Sequence, residues 1–257
     1  MKTEVKVKNI VIGSGRPKIC VPLVGKSVDI LVEEAKALCS NEIDIVEWRV
    51  DFFNQVSMID EVKKTLEKIR QVLRDKPIIF TFRTEQEGGE KQLETVNYFQ
   101  LNKQMLETES IDLIDIELFT DEQQRQHLIE IAHKNHVAVI ISNHDFKSTP
   151  SKDEMISRLC KSQEIGGDIA KLAAMPISPK DVLSVLDATE TMTSQHTKTP
   201  IITMSMGSLG VISRVSGGIF GSAVTFAAAK QASAPGQISV AELQHMLTIL
   251  EGNSKYN

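Results

Sequence analysis

Lys171 lies in the stretch DIAKLAA, flanked by Ile169, Ala170, Leu172 and Ala173. Burial among such neighbours, together with nearby arginines, favours an uncharged amine. An uncharged lysine amine can attack a carbonyl carbon and form a Schiff base. The competing reading is an ion pair with Asp115 or Glu117. His144, Glu47, Arg49, Arg83 and Glu117 also come late in apolar runs. A histidine titrates near neutral pH, so it can take a proton and return it.

The elements that must position these residues alternate along the chain. Strand-like runs cover Ile19–Val24, Ile43–Val50, Pro77–Arg83, Leu113–Leu118, Val137–His144, Asp168–Ala173, Pro200–Met206 and Ser222–Ala227. Amphipathic helical stretches cover Asp29–Ser40, Met58–Arg74, Leu93–Glu107, Asp121–Asn135, Lys152–Ile165, Pro179–Thr193, a shorter piece near Leu209–Val215, and Val240–Leu250. Ser57 and Thr120 are expected to cap helices, as is Ser178 ahead of Pro179. Strands alternating with helices imply a parallel sheet. No GxGxxG follows the first strand, so a closed (β/α)8 TIM barrel is expected over an open doubly wound sheet. Val5–Ile12 alternates polar and apolar residues and reads as an N-terminal β-hairpin capping the bottom of the barrel. No linker is visible, and residues 1–257 are expected to form a single catalytic domain.

Barrel strands point alternate residues inward. Glu47 shares a face with Arg49, Thr81 with Arg83, Asp115 with Glu117, Ser142 with His144, and Met204 with Met206. The polar members come late in their strands, where the active sites of such barrels sit. Glu47, Arg49, Arg83, Glu117, His144 and Lys171 are therefore expected to converge on one pocket mouth. Singly, each has a plainer reading: a rim charge, a hydrogen-bonded core histidine, core methionines, and Asp115 as a buried structural partner for cations. Unpaired buried charges cost several kcal/mol, so a convergent set points to a site.

The chain has 257 residues, an apolar fraction of 41%, a charged fraction of 25% and a net charge of −5. No basic block suggests nucleic acid, and no apolar run approaches the ~20 residues of a membrane helix. Cys20, Cys39 and Cys160 are far apart, without a CxxC. With no signal-peptide pattern at the start, they lead us to expect a reducing, cytoplasmic setting.

Several motifs resemble the type I 3-dehydroquinate dehydratases of the shikimate pathway. They are EWRVDFF (Glu47–Phe53), TFRTEQEGGE (Thr81–Glu90), ISNHDF (Ile141–Phe146), GGDIAKLA (Gly166–Ala173), ITMSMGSLGVISRV (Ile202–Val215), FGSAVTFA (Phe220–Ala227) and ASAPGQ (Ala232–Gln237). The resemblance runs from about Lys18 to the last helix. It implies conversion of 3-dehydroquinate to 3-dehydroshikimate and water by syn elimination, without metal or cofactor, in a homodimer. It assigns Lys171 as the imine-forming lysine, His144 as the general acid–base and Glu87 as the carboxylate that orients it. Arg214 would bind the substrate carboxylate, and Glu47, Arg49 and Arg83 would contact the ring hydroxyls. Ser233 and Gln237 would belong to a closing loop, and Met204, Met206 and Phe226 to an apolar wall. Pro22 departs from the pattern, since some relatives carry a serine there.

Three rival readings share the scaffold. A class I Schiff-base aldolase would use the same lysine to cleave a C–C bond. A metal-dependent sugar isomerase would recruit Glu47, Asp115, Glu117 and His144 as ligands. A barrel used purely for binding would need no intact Lys–His–Glu set. The loop around Ser233 could be an ordinary βα connection, and Gly88-Gly89 and Gly217-Gly218 are expected in tight turns.

Overall fold

The computed structural model describes residues 4–39, 42–229 and 233–253. Ser40, expected to end the first helix, and Ala232, expected in the closing loop, lie outside the described residues. Strands β1 (Val5–Val7) and β2 (Ile10–Ile12) form an antiparallel hairpin. An 8-stranded parallel sheet follows. Its strands are β3 (Lys18–Leu23), β4 (Ile45–Arg49), β5 (Ile78–Thr81), β6 (Leu113–Glu117), β7 (Ala138–Asp145), β8 (Ile169–Ala174), β9 (Ile201–Ser205) and β10 (Val224–Phe226). Neighbours pair in chain order, and β10 pairs with β3. The Ile201–Ser222 bridge joins the β9 and β10 ends of the sheet. There the Ala223 N–H donates to the Ile201 carbonyl at 2.8 Å. The (β/α)8 barrel expected from the alternation is the observed fold.

Helices cover the outside: α1 (Val28–Cys39), α2 (Ile59–Val72), α3 (Thr95–Leu106), α4 (Glu122–Lys134), α5 (Lys152–Glu164), α6 (Pro179–Thr191), α7 (Val211–Phe220) and α8 (Val240–Asn253). Outward residues such as Trp48, Phe80, Ile114 and Val139 pack against them. Inward residues Ile45, Ile79, Leu113, Ile140, Ile169 and Ile202 fill the lower barrel, and Val7 and Ile12 of the hairpin close it from below. The lower interior is therefore dry and aliphatic, and polar inward residues appear only in the layers above.

Three local expectations change. Met58, not Ser57, occupies the N-cap of α2, without a side-chain bond. Asp121, not Thr120, caps α4 by accepting from the Gln124 N–H at 2.9 Å. Gly217 and Gly218 lie inside α7. A Cβ on Gly218 would come within 2.7 Å of Pro17 Cγ, so the glycine permits close helix packing and does not mark a turn. Ser178 and Pro179 start α6 as expected, with the Asp181 carboxylate accepting from Ser178 N–H at 2.9 Å.

Candidate active site

Register sets Lys171 opposite Ser142 on β7 and Ile202 on β9. Its ammonium nitrogen lies 2.9 Å from Asp115 Oδ2, 3.6 Å from Glu47 Oε1 and 4.8 Å from the centre of the Phe226 ring. Of the two carboxylates the sequence left open, Asp115 is the partner. Asp115 also meets Arg83 Nη2 at 2.9 Å and accepts from Ser142 Oγ at 2.5 Å. Burial works against its charge, but Arg83 and Lys171 outweigh burial and hold the carboxyl well below the usual range.

Arg83 is the hub of the same layer. Nη1 reaches Glu117 Oε1 at 2.9 Å, Ser142 Oγ at 3.0 Å and Glu87 Oε2 at 3.4 Å. Burial disfavours its cation, yet Asp115, Glu117 and Glu87 raise its pKa well above the ordinary value. Glu117 also accepts from Thr84 N–H at 2.9 Å and Thr84 Oγ1 at 2.7 Å. That pins the start of the short 3-10 turn Glu85–Glu87, which swings Glu87 across to β7. Glu117 itself sits behind Arg83 and does not line the cavity, contrary to the sequence expectation. The carboxylates that the metal reading required are thus committed to Lys171, Arg83 and Thr84.

Glu87 Oε2 accepts from the His144 backbone N–H at 2.9 Å and lies 2.9 Å from its Nδ1. Glu87 Oε1 accepts from Asn143 Nδ2 at 3.1 Å. Burial, reinforced by Glu117, pushes Glu87 up to about 8. Burial, reinforced by Arg83 and Lys171, pulls His144 well below its usual value. Each shift favours the uncharged form of its own group. With Glu87 as a carboxylate and the imidazole neutral, the single ring proton lies on Nδ1, facing Oε2. When that proton rests on Nδ1, the other ring nitrogen, Nε2, has a free lone pair.

A cavity open to solvent lies above this layer. Glu47, Arg49, Arg83, Glu87, His144, Lys171, Met204, Met206, Arg214, Phe226, Ser233 and Gln237 all line it, so the sequence-assigned set converges on one space. Arg49 is clamped by Asp51 through two contacts of 2.8 Å and donates to the Ser233 carbonyl at 3.3 Å. Arg214, on α7, donates to the Pro235 carbonyl at 3.0 Å and reaches Met204 Sδ at 3.5 Å. Its Nε is buried without a hydrogen-bond partner among the described residues, and burial pulls its pKa down to about 10. In the loop after β10, Ser233 N–H donates to Gln237 Oε1 at 2.9 Å, and Gln237 Nε2 donates to Ser233 Oγ at 3.1 Å.

Sequence reasoning missed Asp51, Asn143, Phe146, Gly88 and Ala234. The Arg-x-Asp spacing of Arg49 and Asp51 was the readable signal for the clamp. Gly88 makes the turn expected of it, with φ at 81°, and a Cβ there would meet the Phe146 ring at 2.3 Å. Pro22 faces inward opposite Glu47. β10 pairs with β3 only as far as Cys20, so a missing N–H at position 22 costs the sheet little.

Residues 19–254 match the family model for type I 3-dehydroquinase. The chain is 53% identical over 253 residues to a 3-dehydroquinate dehydratase of Bacillus licheniformis, covering 98% of this chain and 100% of that protein. It is similar to the crystal structure of a type I 3-dehydroquinate dehydratase from Clostridium difficile with covalently modified comenic acid. The TM-score is 0.95, with 52% identity over 98% of this chain and 99% of that one. It is also similar to a 3-dehydroquinate dehydratase structure from Geobacillus kaustophilus, with a TM-score of 0.94 and 38% identity over 97% of each chain.

Proposed function

The chain belongs to the type I 3-dehydroquinase family, and on that footing we propose how its barrel dehydrates 3-dehydroquinate to 3-dehydroshikimate. Lys171 attacks the ring ketone, and loss of water leaves a protonated imine. An ammonium and an iminium carry the same charge, so Asp115, 2.9 Å from Nζ, balances a cation before and after the bond forms. The ion pair and the nucleophile are therefore compatible readings of one lysine.

His144, with Nδ1 held by Glu87, takes a proton at Nε2 from the carbon beside the imine. The electrons move onto nitrogen, giving a neutral enamine. That enamine expels the β-hydroxyl, which leaves as water with the proton His144 carries, on the same face of the ring. Water then hydrolyses the conjugated iminium and restores the Lys171 ammonium. Arg214 binds the substrate carboxylate through its planar fork, while Glu47, Arg49 and Arg83 hold the hydroxyls. The apolar wall of Met204, Met206 and Phe226 and the Ser233–Gln237 loop keep water from the imine.

The observation that carries this reading is the convergence of Lys171, the His144–Glu87 pair and the uncompensated Arg214 on one cavity. A class I aldolase would share the lysine, but a buried arginine left without a carboxylate partner among the described residues fits elimination from a carboxylate substrate better. Borohydride with 3-dehydroquinate should add one substrate-derived mass at Lys171, and Lys171→Ala should abolish both the adduct and turnover. Persistent labelling of that variant, or a wild type that never traps substrate, ends the imine mechanism.

We propose that the whole chain acts as one catalytic domain and pairs as a homodimer. Ile177, Leu183, Ile212 and Ile219 on and beside α6 and α7 are large, apolar and exposed, and such surface favours association. No helix among the described residues is long and apolar enough to cross a membrane. A small metabolite substrate fits a cytoplasmic enzyme.

A further inference from the structure

The hydrogen bonds behind His144 do not end at Glu87. Asn143 donates from Nδ2 to Glu87 at 3.1 Å, and its Oδ1 accepts from Arg158 Nη1 at 2.8 Å. Arg158 belongs to α5, outside the barrel. Its Nε holds Glu154 Oε1 at 2.7 Å, its Nη1 lies 4.0 Å from Asp145 Oδ2, and its guanidinium sits 5.4 Å from the centre of the Phe119 ring. Strand parity points Asn143 away from the barrel axis while Ser142 and His144 point towards it. The amide therefore links the outer layer to the pocket.

A carboxamide has a donor end and an acceptor end of nearly the same shape. Turned over, Asn143 would set its oxygen against the Glu87 carboxylate and its NH2 against the Arg158 guanidinium. A guanidinium has no acceptor, so both contacts would be repulsive in a buried setting. Arg158 thereby decides which end of Asn143 faces Glu87.

We propose that Arg158 is a positioning residue for proton transfer, acting through the Asn143 amide to keep Glu87 an acceptor for His144 Nδ1. This rests on the reading of His144 as the proton carrier. The groups facing Glu87 are Arg83 from the end of β5, Asp115 and Glu117 from β6, and Asn143 and His144 from β7. Burial, then Glu117 and Asp115, favours a protonated Glu87, and Arg83 and the Asn143 donor oppose them. Without that donor Glu87 keeps its proton to higher pH. A protonated Glu87 donates to Nδ1 and moves the ring proton to Nε2, where it blocks uptake of the substrate proton.

The test uses Arg158→Met, Asn143→Leu, their double variant and Arg158→Lys. Arg158→Met should lower kcat roughly three- to tenfold, the worth of one hydrogen bond. KM should change little, and the acid limb of the kcat–pH profile should move to higher pH. Arg158→Lys, which still donates, should recover most of the loss. Because the two residues act in series, the double variant should be no slower than Asn143→Leu. Borohydride trapping of one substrate per chain shows that each variant retains a folded pocket. An unmoved acid limb in Arg158→Met, or multiplied losses in the double variant, overturns the relay. His144→Ala, assayed alongside, separates the two failures. If it is inactive while Arg158→Met matches wild type, the relay fails and the base stands; if it turns over normally, both fail.

Discussion

On the β5–β8 side of the cavity, Arg83, Asp115, Glu117 and Lys171 each lie 2.9 Å from an opposite charge. On the α7 side, Arg214 spends its donors on a carbonyl and a sulfur and leaves Nε unpartnered among the described residues. The first wall is finished before a substrate arrives. Its dipoles and charges need no rearrangement during reaction, which is how fixed electrostatics lower a barrier. The second wall carries a desolvated cation that a carboxylate would complete. Chemistry and carboxylate recognition are thus separated across the pocket, and substitutions on the two sides should fail in different ways.

The largest test falls on the finished wall. His144→Ala should lower kcat by about 10²- to 10⁴-fold, the usual share of a general acid–base group. Borohydride should still trap the imine, because Lys171 and its partner Asp115 remain. A rate near wild type would show that another group carries the proton. Loss of trapping would show that the wall fails as a unit, so that imine formation and proton transfer cannot be assigned to separate residues.

The two arginines give the sharpest contrast. Arg83→Met strands Asp115, Glu117 and Glu87 together, and unpairing a buried charge costs about 3–5 kcal/mol. Its thermal midpoint should fall steeply, even without substrate. Arg214→Met removes a buried cation that no carboxylate balances, so the unliganded protein should melt no lower than wild type. Its kcat/KM should fall roughly 10- to 100-fold, matching the worth of a charged hydrogen bond. An Arg214→Met protein that melts as early as Arg83→Met would remove the distinction between the walls.

This division also explains which features could be read from sequence. The finished wall is built on strands, where period-two alternation predicts direction, so Glu47, Arg49, Arg83, His144 and Lys171 fall out of parity. Glu87 lies on a 3-10 turn after β5, and resemblance was needed to reach it. Asn143 and Ser142 look like ordinary strand residues until the folded side chains bring Asn143 Nδ2 to Glu87 and Ser142 Oγ to Asp115. The N-caps of α2 and α4 were misread by one residue: Asp121 outcompetes Thr120 at α4, while at α2 Met58 holds the cap position without a side-chain bond. Gly217-Gly218 reads as a break, yet the pair continues α7 where Pro17 demands a small neighbour. Arg214 sits on that helix, and no strand periodicity bears on it.

The smallest effect belongs to the loop. Gln237 already uses both ends of its amide on Ser233, at 2.9 Å and 3.1 Å. To reach a substrate it must exchange those bonds for new ones. Exchange yields about 1 kcal/mol at most, so Gln237→Ala should raise KM roughly three- to fivefold and leave kcat nearly unchanged. Ser233→Ala should do less, since the group that holds Arg49 is the Ser233 backbone carbonyl, 3.3 Å from Nη1, and an alanine keeps it. Steady-state kinetics on both variants checks the order. If Gln237→Ala instead lost 100-fold in kcat, the loop would be acting on the transition state, and the line between a chemical wall and a binding wall would have to be redrawn through Gln237.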